Sequence, residues 1–306
     1  MSLELRPPRL ADAAAIAEMM TRWSEATGKD AATASEIESW FGIPSLDLQR
    51  DARVAVAGGA ILGYADVGDG GGDGRVLYLD VRVDPGCAGV ARALLDFAEQ
   101  RALELAASDS VVKIGPPEGA ASLRGLVEDR GYSFDRYSFR MLRELDEQPP
   151  PPEWPDGISV RTFDRDFDTE AVYEAHQEAF SEERDFTRDP FDDWVYWSFR
   201  EPFDPALWFL AEGGSELAGI ALCRPERDGD FDVGWINILG VRKPWRGRGL
   251  GKALLLHAFQ GLRAAGKRQV GLGVNGDNPE ALRLYEGAGM RRASTTVWYA
   301  RKMRKN

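Results

Sequence analysis

Apolar and polar positions along the chain come in two rounds that follow the same order. Leu5-Arg6 opens the first, and an acidic turn leads into an amphipathic helix with Ala15, Ile16, Met19 and Met20 on one face. Val160-Arg161 opens the second, and its helix carries Ala171, Val172, Ala175 and Phe180. Each round continues with two short alternating runs broken by Gly-Gly: 54–59 into 62–65, and 208–214 into 218–221. Alternation around such a break predicts strand–turn–strand. A strand feeding a glycine turn comes next (79–83 and 236–241), and then a second helix. Arg6 and Arg161, Gly63 and Gly219, Gly89 and Gly249, and Gly131 and Gly289 keep a nearly constant separation, which marks an internal repeat of domain size.

Residues 147–157 read Glu-Gln-Pro-Pro-Pro-Pro-Glu-Trp-Pro-Asp-Gly, an extended linker, because proline forbids helix and favours polyproline geometry. The expected domains are therefore 1–146 and 158–306. With 306 residues and 43% hydrophobic content, the chain can build two cores. The net charge of −12 argues against nucleic acid as a partner and suits a cationic acceptor, although acidity also serves solubility. Two cysteines, Cys87 and Cys223, form no disulfide framework and fit a reducing cytoplasm. No apolar run reaches the ~18 residues of a membrane span. The segment beginning Met1-Ser2-Leu3 lacks the apolar stretch of a leader. A cytoplasmic chain without a membrane partner is expected, its oligomeric state left open. His176 and His257 have no companion ligands, so no metal is expected.

The sharpest chemistry lies at Arg246-Gly247-Arg248-Gly249-Leu250-Gly251-Lys252, between a strand ending at Val241 and an apolar-periodic helix. Glycines let the backbone approach a ligand, and the first free N–H groups of the helix point at it. The helix dipole and the charges of Arg246, Arg248 and Lys252 make this an anion cradle suited to a diphosphate.

This block resembles the acetyl-CoA-binding motif of the GNAT acetyltransferase superfamily, Arg/Gln-x-x-Gly-x-Gly/Ala, with Arg246, Gly249 and Gly251 in its fixed positions. The family's next element is also present, from Val274-Asn275 through Asn278-Pro279-Glu280-Ala281 to Tyr285 and Gly289. The resemblance implies a mixed α/β (α+β) fold: two tandem GNAT domains, each a mostly antiparallel sheet flanked by helices. It implies that the loop holds the CoA pyrophosphate and that Leu239, Gly240 and Val241 pair with the pantetheine arm. Asn275, Asn278 and Ala281 would also line acetyl-CoA. Tyr285 matches the tyrosine that protonates the departing thiolate. The implied reaction is direct attack of an amine on acetyl-CoA, with backbone N–H groups near Leu239–Val241 as oxyanion donors.

Many superfamily members carry a glutamate base on the strand before the loop, and here Trp235 takes that place. Asn237, on the same face by period two, could hold a relaying water, and Asp232 is the nearest carboxylate. Glu178, Glu182 and Glu183 are further candidates. Residues 181–193 are rich in acids, and Trp194, Tyr196, Trp197, Phe199, Phe203 and Trp208 follow, a composition that suits a small cationic amine but also a plain core. The first copy lacks the charged clamp, with Gly86 opposite Arg246, and lacks the tyrosine, with Val127 opposite Tyr285. It reads as a non-catalytic scaffold beside an active second half. A tandem plan with an active second half is also similar to the mycothiol synthase family. The competing readings are a protein lysine or N-terminal acetyltransferase and a non-catalytic acyl-CoA sensor.

Overall fold

Matching bidentate ion pairs open both copies of the repeat. In the computed structural model, which describes residues 3–28, 31–227 and 230–304, Arg6 of β1 (Glu4–Arg6) grips Asp12 at 2.7 and 2.8 Å. Arg161 of β7 (Ile158–Thr162) grips Asp168 at 2.6 and 2.7 Å. Each carboxylate also accepts a backbone N–H, from Arg9 and Asp164 respectively. The guanidinium hydrogen bonds hold both carboxyls below the usual carboxylate range. These contacts fix where the first strand of each copy hands over to its helix, α1 (Ala13–Thr27) and α6 (Arg165–Phe180).

The chain divides into two compact units, Met1–Ser138 with Ser294–Asn306, and Phe139–Ala293. In unit 1 the strands lie in the order β1, β2 (Ala52–Ala57), β3 (Ala60–Asp69), β4 (Val76–Val83), β5 (Asp109–Ile114) and β12 (Arg291–Arg304). All neighbours are antiparallel except β4 and β5. In unit 2 the order is β7, β8 (Trp208–Gly213), β9 (Glu216–Arg224), β10 (Val233–Val241), β11 (Gln269–Asn275) and β6 (Ser133–Glu144). There β10 and β11 form the parallel pair. Both Gly-Gly hairpins fall where the alternation placed them.

The units differ from the sequence halves 1–146 and 158–306 in one respect: the last strand of each half is exchanged. From Ser294 onward β12 belongs to unit 1, where Tyr299–Arg304 pair with Ile114–Asp109. From Phe139 onward β6 belongs to unit 2, where Met141 is buried and the Leu145 N–H donates to the Arg268 carbonyl at 2.7 Å. The proline-rich segment is extended and rests on unit 2, with the Trp154 ring 5.5 Å from His257.

In unit 1, α4 (Ala88–Leu105) and α5 (Ala121–Asp129) cover one face of the sheet through Leu94, Leu95, Leu123 and Val127. The other face packs Ile16, Met19 and Met20 of α1 and Ile37 and Phe41 of α2 (Ala34–Phe41), with Leu48 of α3 (Leu48–Asp51) against them. In unit 2, α8 (Leu250–Ala264) lies on one face through Leu250, Leu254 and Phe259. There α6 and α7 (Phe191–Phe199) lie on the other, against Leu210, Ile220, Leu222 and Ile238. No helix among the described residues is long and apolar enough to cross a membrane.

Tyr299 shows what the exchanged strand contributes. It is buried in unit 1, accepts from Arg124 Nε at 3.1 Å and donates to Glu128 at 2.5 Å. Tyr299→Ala is expected to cost about 3–5 kcal/mol. Amide exchange should rise in Asp109–Ile114, far away in sequence. Unchanged protection there would contradict the assignment of this strand to unit 1.

Candidate active site

The site is organised by a parting of strands. β10 pairs with β9 along its length, but its parallel register with β11 covers only Val233, Gly234 and Trp235, ending at Trp235 opposite Gly271. The Trp235 ring sits where a side chain at 271 would be, since a Cβ on Gly271 would lie 2.4 Å from the ring. Beyond this point residues 236–241 are laddered to β9 on one edge. Alternate N–H and C=O groups on the other edge face the widening gap. Leu239, Gly240 and Val241 end β10 on this stretch. A Cβ on Gly240 would meet the Ala179 Cβ at 2.9 Å, so glycine lets the end of α6 approach the strand closely.

The turn after β10 is anchored before it reaches the helix. The Trp245 ring covers Gly213 so tightly that a Cβ there would lie 1.9 Å from a ring atom. Gly247 and Gly249 then adopt positive φ, 74° and 86°, which side-chain-bearing residues rarely do. Gly249 is the N-cap of α8 and no side chain caps the helix; its first bond runs from the Ala253 N–H to the Gly249 carbonyl. The N–H groups of Leu250, Gly251 and Lys252 therefore sit at an open, electropositive end.

Arg246 does not stand as a free clamp. Its guanidinium bonds the Val241 carbonyl (3.0 Å), the Ala179 carbonyl (2.7 Å) and Glu182 (2.6 Å), tying the strand end and α6 to the loop. Lys243 shares Glu182 at 3.1 Å. Arg248 lies over the Trp245 ring at 5.2 Å, and Lys252 is exposed. The charges at the cradle mouth are thus Arg248 and Lys252, with Arg246 as a brace behind them.

The second motif forms α9 (Pro279–Gly287). The Asn278 side chain is its N-cap, accepting the Ala281 N–H at 3.0 Å, while the Asn278 N–H donates to the Asn275 carbonyl at 3.1 Å. That use of Asn278 is one the sequence reading did not separate from ligand contact. Tyr285 is buried on α9, where burial, and secondarily the charge of Glu183, push its hydroxyl up to about 12. Glu183 also accepts from Asn275 Nδ2 at 3.4 Å. The three acids left undivided by the sequence therefore separate. Glu178 holds Arg242 at 2.7 Å, Glu182 holds the loop cations, and Glu183 stands beside Tyr285.

The other candidates fall elsewhere. Asp232 is not on the strand; it lies in the turn before β10, where its carbonyl accepts the N–H groups of Arg268 and Gln269. Asn237 is exposed at a β-bulge between Ile236 and Ile238, so the period-two argument that put it on the Trp235 face fails there. Trp194 and Trp208 are buried and pack with Phe199 and Phe203, as core rather than pocket lining. His176 accepts from Trp194 Nε1 at 2.9 Å and burial lowers its pKa. Around Trp235 the surroundings are basic: Arg224 is its cross-strand partner, and Arg140 and Arg227 lie 5.3 and 4.3 Å from its ring. Among the described residues no group of three or more His, Cys, Asp or Glu could hold a metal ion.

Unit 1 keeps the outline with the charges reversed. Registers with the preceding strand place Asp84 after Val83 as Arg242 follows Val241. Arg22 of α1 bonds Asp84 at 2.7 Å, where Glu178 of α6 bonds Arg242. Gly86 has φ 87°, the β4–β5 ladder runs four pairs to Leu79 and Ile114, and β4 carries no bulge against β3.

Splayed parallel strands, a bare helix N-terminus and a buried tyrosine on α9 together form a site suited to an anionic ligand with an amide-bearing arm. The acetyltransferase (GNAT) family profile matches residues 169–290. A mycothiol acetyltransferase of Geodermatophilus obscurus is 33% identical over 261 residues, 82% of each chain. One from Catenulispora acidiphila is 30% identical over 81% of this chain and 79% of that one. Among solved structures, a GCN5-related N-acetyltransferase from Sphaerobacter thermophilus superposes with a TM-score of 0.81 at 34% identity, over 99% of this chain and 96% of that one. A tandem GNAT protein from the clavulanic acid biosynthesis pathway shares the fold, with a TM-score of 0.73 at 18% identity over 98% of both chains. The chain belongs to the GNAT acetyltransferase family, and it is a tandem member.

Gly240→Val tests the strand end. The added methyls must displace α6 or β10, at a cost of about 1–3 kcal/mol. Calorimetry should show acetyl-CoA binding weakened at least tenfold. Wild-type affinity in this variant would mean that the strand end does not shape the site.

Proposed function

We propose that unit 2 is the catalytic half and transfers the acetyl group of acetyl-CoA to a primary amine of a small molecule, by direct attack in a ternary complex. The observation that carries this reading is the gap beside residues 236–241, with the open N-terminus of α8 at its end and Tyr285 at its side. The residues fit acetyl-CoA. Leu250, Gly251 and Lys252 offer backbone N–H groups to a diphosphate, Arg248 and Lys252 offer charge, and the free edge of Leu239–Val241 offers donors and acceptors to an amide-bearing arm. Asn275 and Ala281 border the same region. Bound acetyl-CoA supplies the activated acetyl group and the leaving thiolate.

Tyr285 keeps its proton at any physiological pH, because its raised pKa lies far above neutrality. Burial makes it a weaker acid than an ordinary tyrosine, yet a steady hydrogen-bond donor to a developing thiolate. Fixed N–H groups on the free edge of residues 239–241 would serve a developing oxyanion without reorganising. For the amine proton, Glu183 is a better base than Asn237, which has no basic group, or Asp232, which sits beyond the strand. Similarity to mycothiol acetyltransferases supports a small acceptor rather than a protein lysine or N-terminus. Unit 1, lacking the loop cations, is read as a support that does not catalyse.

A second reading concerns the acceptor's charge. The acids at 174, 178, 182 and 189 already hold arginines, a lysine or Gln177. Arginines gather around Trp235. These acids therefore offer less to a cationic acceptor than their number suggests, and an acceptor amine carrying its own carboxylate or phosphate is the alternative to test against a cationic one.

Tyr285→Phe should lower kcat for CoA release with a responsive amine by about 10²-fold or more, with KM for acetyl-CoA nearly unchanged. An unchanged kcat would remove Tyr285 from the chemistry. Binding of acetyl-CoA with no response from any amine in a panel, cationic or anionic, would favour a sensor.

A further inference from the structure

On the face of unit 1 that packs α1 and α2, four ionisable or hydroxylated side chains occupy adjacent positions of β3 and β4. The register sets Tyr64 opposite Arg82 and Asp66 opposite Asp80, so all four share one face. The same register in unit 2 holds Ile220 opposite Gly240 and Leu222 opposite Ile238, and those three large residues are apolar core. Unit 1 has thus placed a tyrosine, two carboxylates and a guanidinium where its sister copy is content with isoleucine and leucine. Like charges directly opposite each other on a sheet are destabilising, and half-buried ions are costly, so loss of function alone does not account for the set.

The internal partners are unequally shared. Arg82 spends Nε and Nη2 on Asp80, at 3.0 and 2.7 Å, turns Nη1 to the Met20 sulfur at 3.2 Å, and lies 5.0 Å from the Trp40 ring centroid. Asp66 has the Tyr64 hydroxyl beside it. That hydroxyl is completely buried and makes no hydrogen bond of ordinary length and angle. Burial, and then the charge of Asp80, push the Asp66 carboxyl up to about 7. The nearby Asp51 is neutralised by Arg101 at 2.7 Å. Two carboxylates against one guanidinium leave one carboxylate without a cation once Asp66 gives up its proton, beside a buried hydroxyl. The Asp80 side chain is 31% exposed, so the cluster meets solvent at Asp80 while the Tyr64 hydroxyl stays buried.

We infer that Tyr64, Asp66 and Asp80 form a binding site in unit 1 for a small primary ammonium ion, with its N–H groups on Asp66 and the Tyr64 hydroxyl. A bare metal cation is a poorer occupant, because two carboxylates and a phenol fall short of the oxygen shell that hard divalent ions require. An ammonium supplies what the cluster lacks, a positive charge with directed donors. The site is independent of acetyl transfer in unit 2.

The probe is ethylammonium, with tetramethylammonium as a cation of equal charge without N–H donors. Thermal unfolding of the full-length chain in amine-free buffer should show a saturable rise in unfolding temperature with ethylammonium and none with tetramethylammonium. The affinity should increase as pH rises through about 7, where Asp66 gives up its proton. Asp66→Leu installs the residue that unit 2 carries at the same register, so it is compatible with the strand. It should weaken ethylammonium at least tenfold while the variant alone still unfolds cooperatively at or above the wild-type temperature, which certifies folding. Tyr64→Phe should weaken it less. No rise with ethylammonium, an equal rise with tetramethylammonium, or an undiminished response in Asp66→Leu would each overturn the site.

Discussion

Trp235 resting on Gly271 is the contact on which the rest of unit 2 depends. A parallel ladder would otherwise continue, and its hydrogen bonds would consume both edges of β10. With the indole over a residue that has no side chain, the register ends there. The bulge at Asn237 then adds local twist to the strand that must leave. Backbone groups of residues 236–241 are left facing a gap, and such groups are costly to leave unpaired away from water. A strand-like ligand with amide groups resolves that cost, which is why a sheet fault becomes a binding site.

The loop beyond the gap works by being braced rather than by being charged. Arg246 joins the end of β10, the end of α6 and Glu182, and Trp245 clamps Gly213. With those fixed, Gly247 and Gly249 turn the backbone so that α8 presents its N–H groups uncapped. Donors held this way need no rearrangement when an anion arrives. The same turn in unit 1 is held by the mirror-image pair, Arg22 and Asp84, which keeps the shape and leaves the turn itself acidic.

Much of this was legible in the sequence, because it is written in local patterns. Alternation and Gly-Gly breaks marked the hairpins, and the spacing of Arg246, Gly249 and Gly251 marked the glycine turn into the start of α8. The repeat itself marked two copies of one fold. The exchange of β6 and β12 was not legible, since both strands carry similar alternation and no local signal says which sheet a final strand joins. Asn237 was misplaced because a bulge resets the period of two and leaves no trace in one sequence. Arg246 and Glu183 meet partners distant in sequence, so residue type could nominate them but not say what each touches; Asn278 caps α9 through close neighbours, a use that its motif position does not distinguish from ligand contact. The polar face of unit 1 was missed for a different reason: Tyr64, Asp66, Asp80 and Arg82 alternate as an ordinary strand surface does, and only the register against unit 2 shows that they replace a core.

We propose that one copy of the fold binds acetyl-CoA, through the gap and the bare helix end of unit 2. Calorimetric titration of the full-length chain with acetyl-CoA, for wild type and for Lys252→Glu, tests it most directly. One site per chain is expected in the wild type, with a loss of at least tenfold in affinity when the charge at the open end of α8 is reversed. Two equivalent sites per chain, or a single site indifferent to Lys252→Glu, would contradict it.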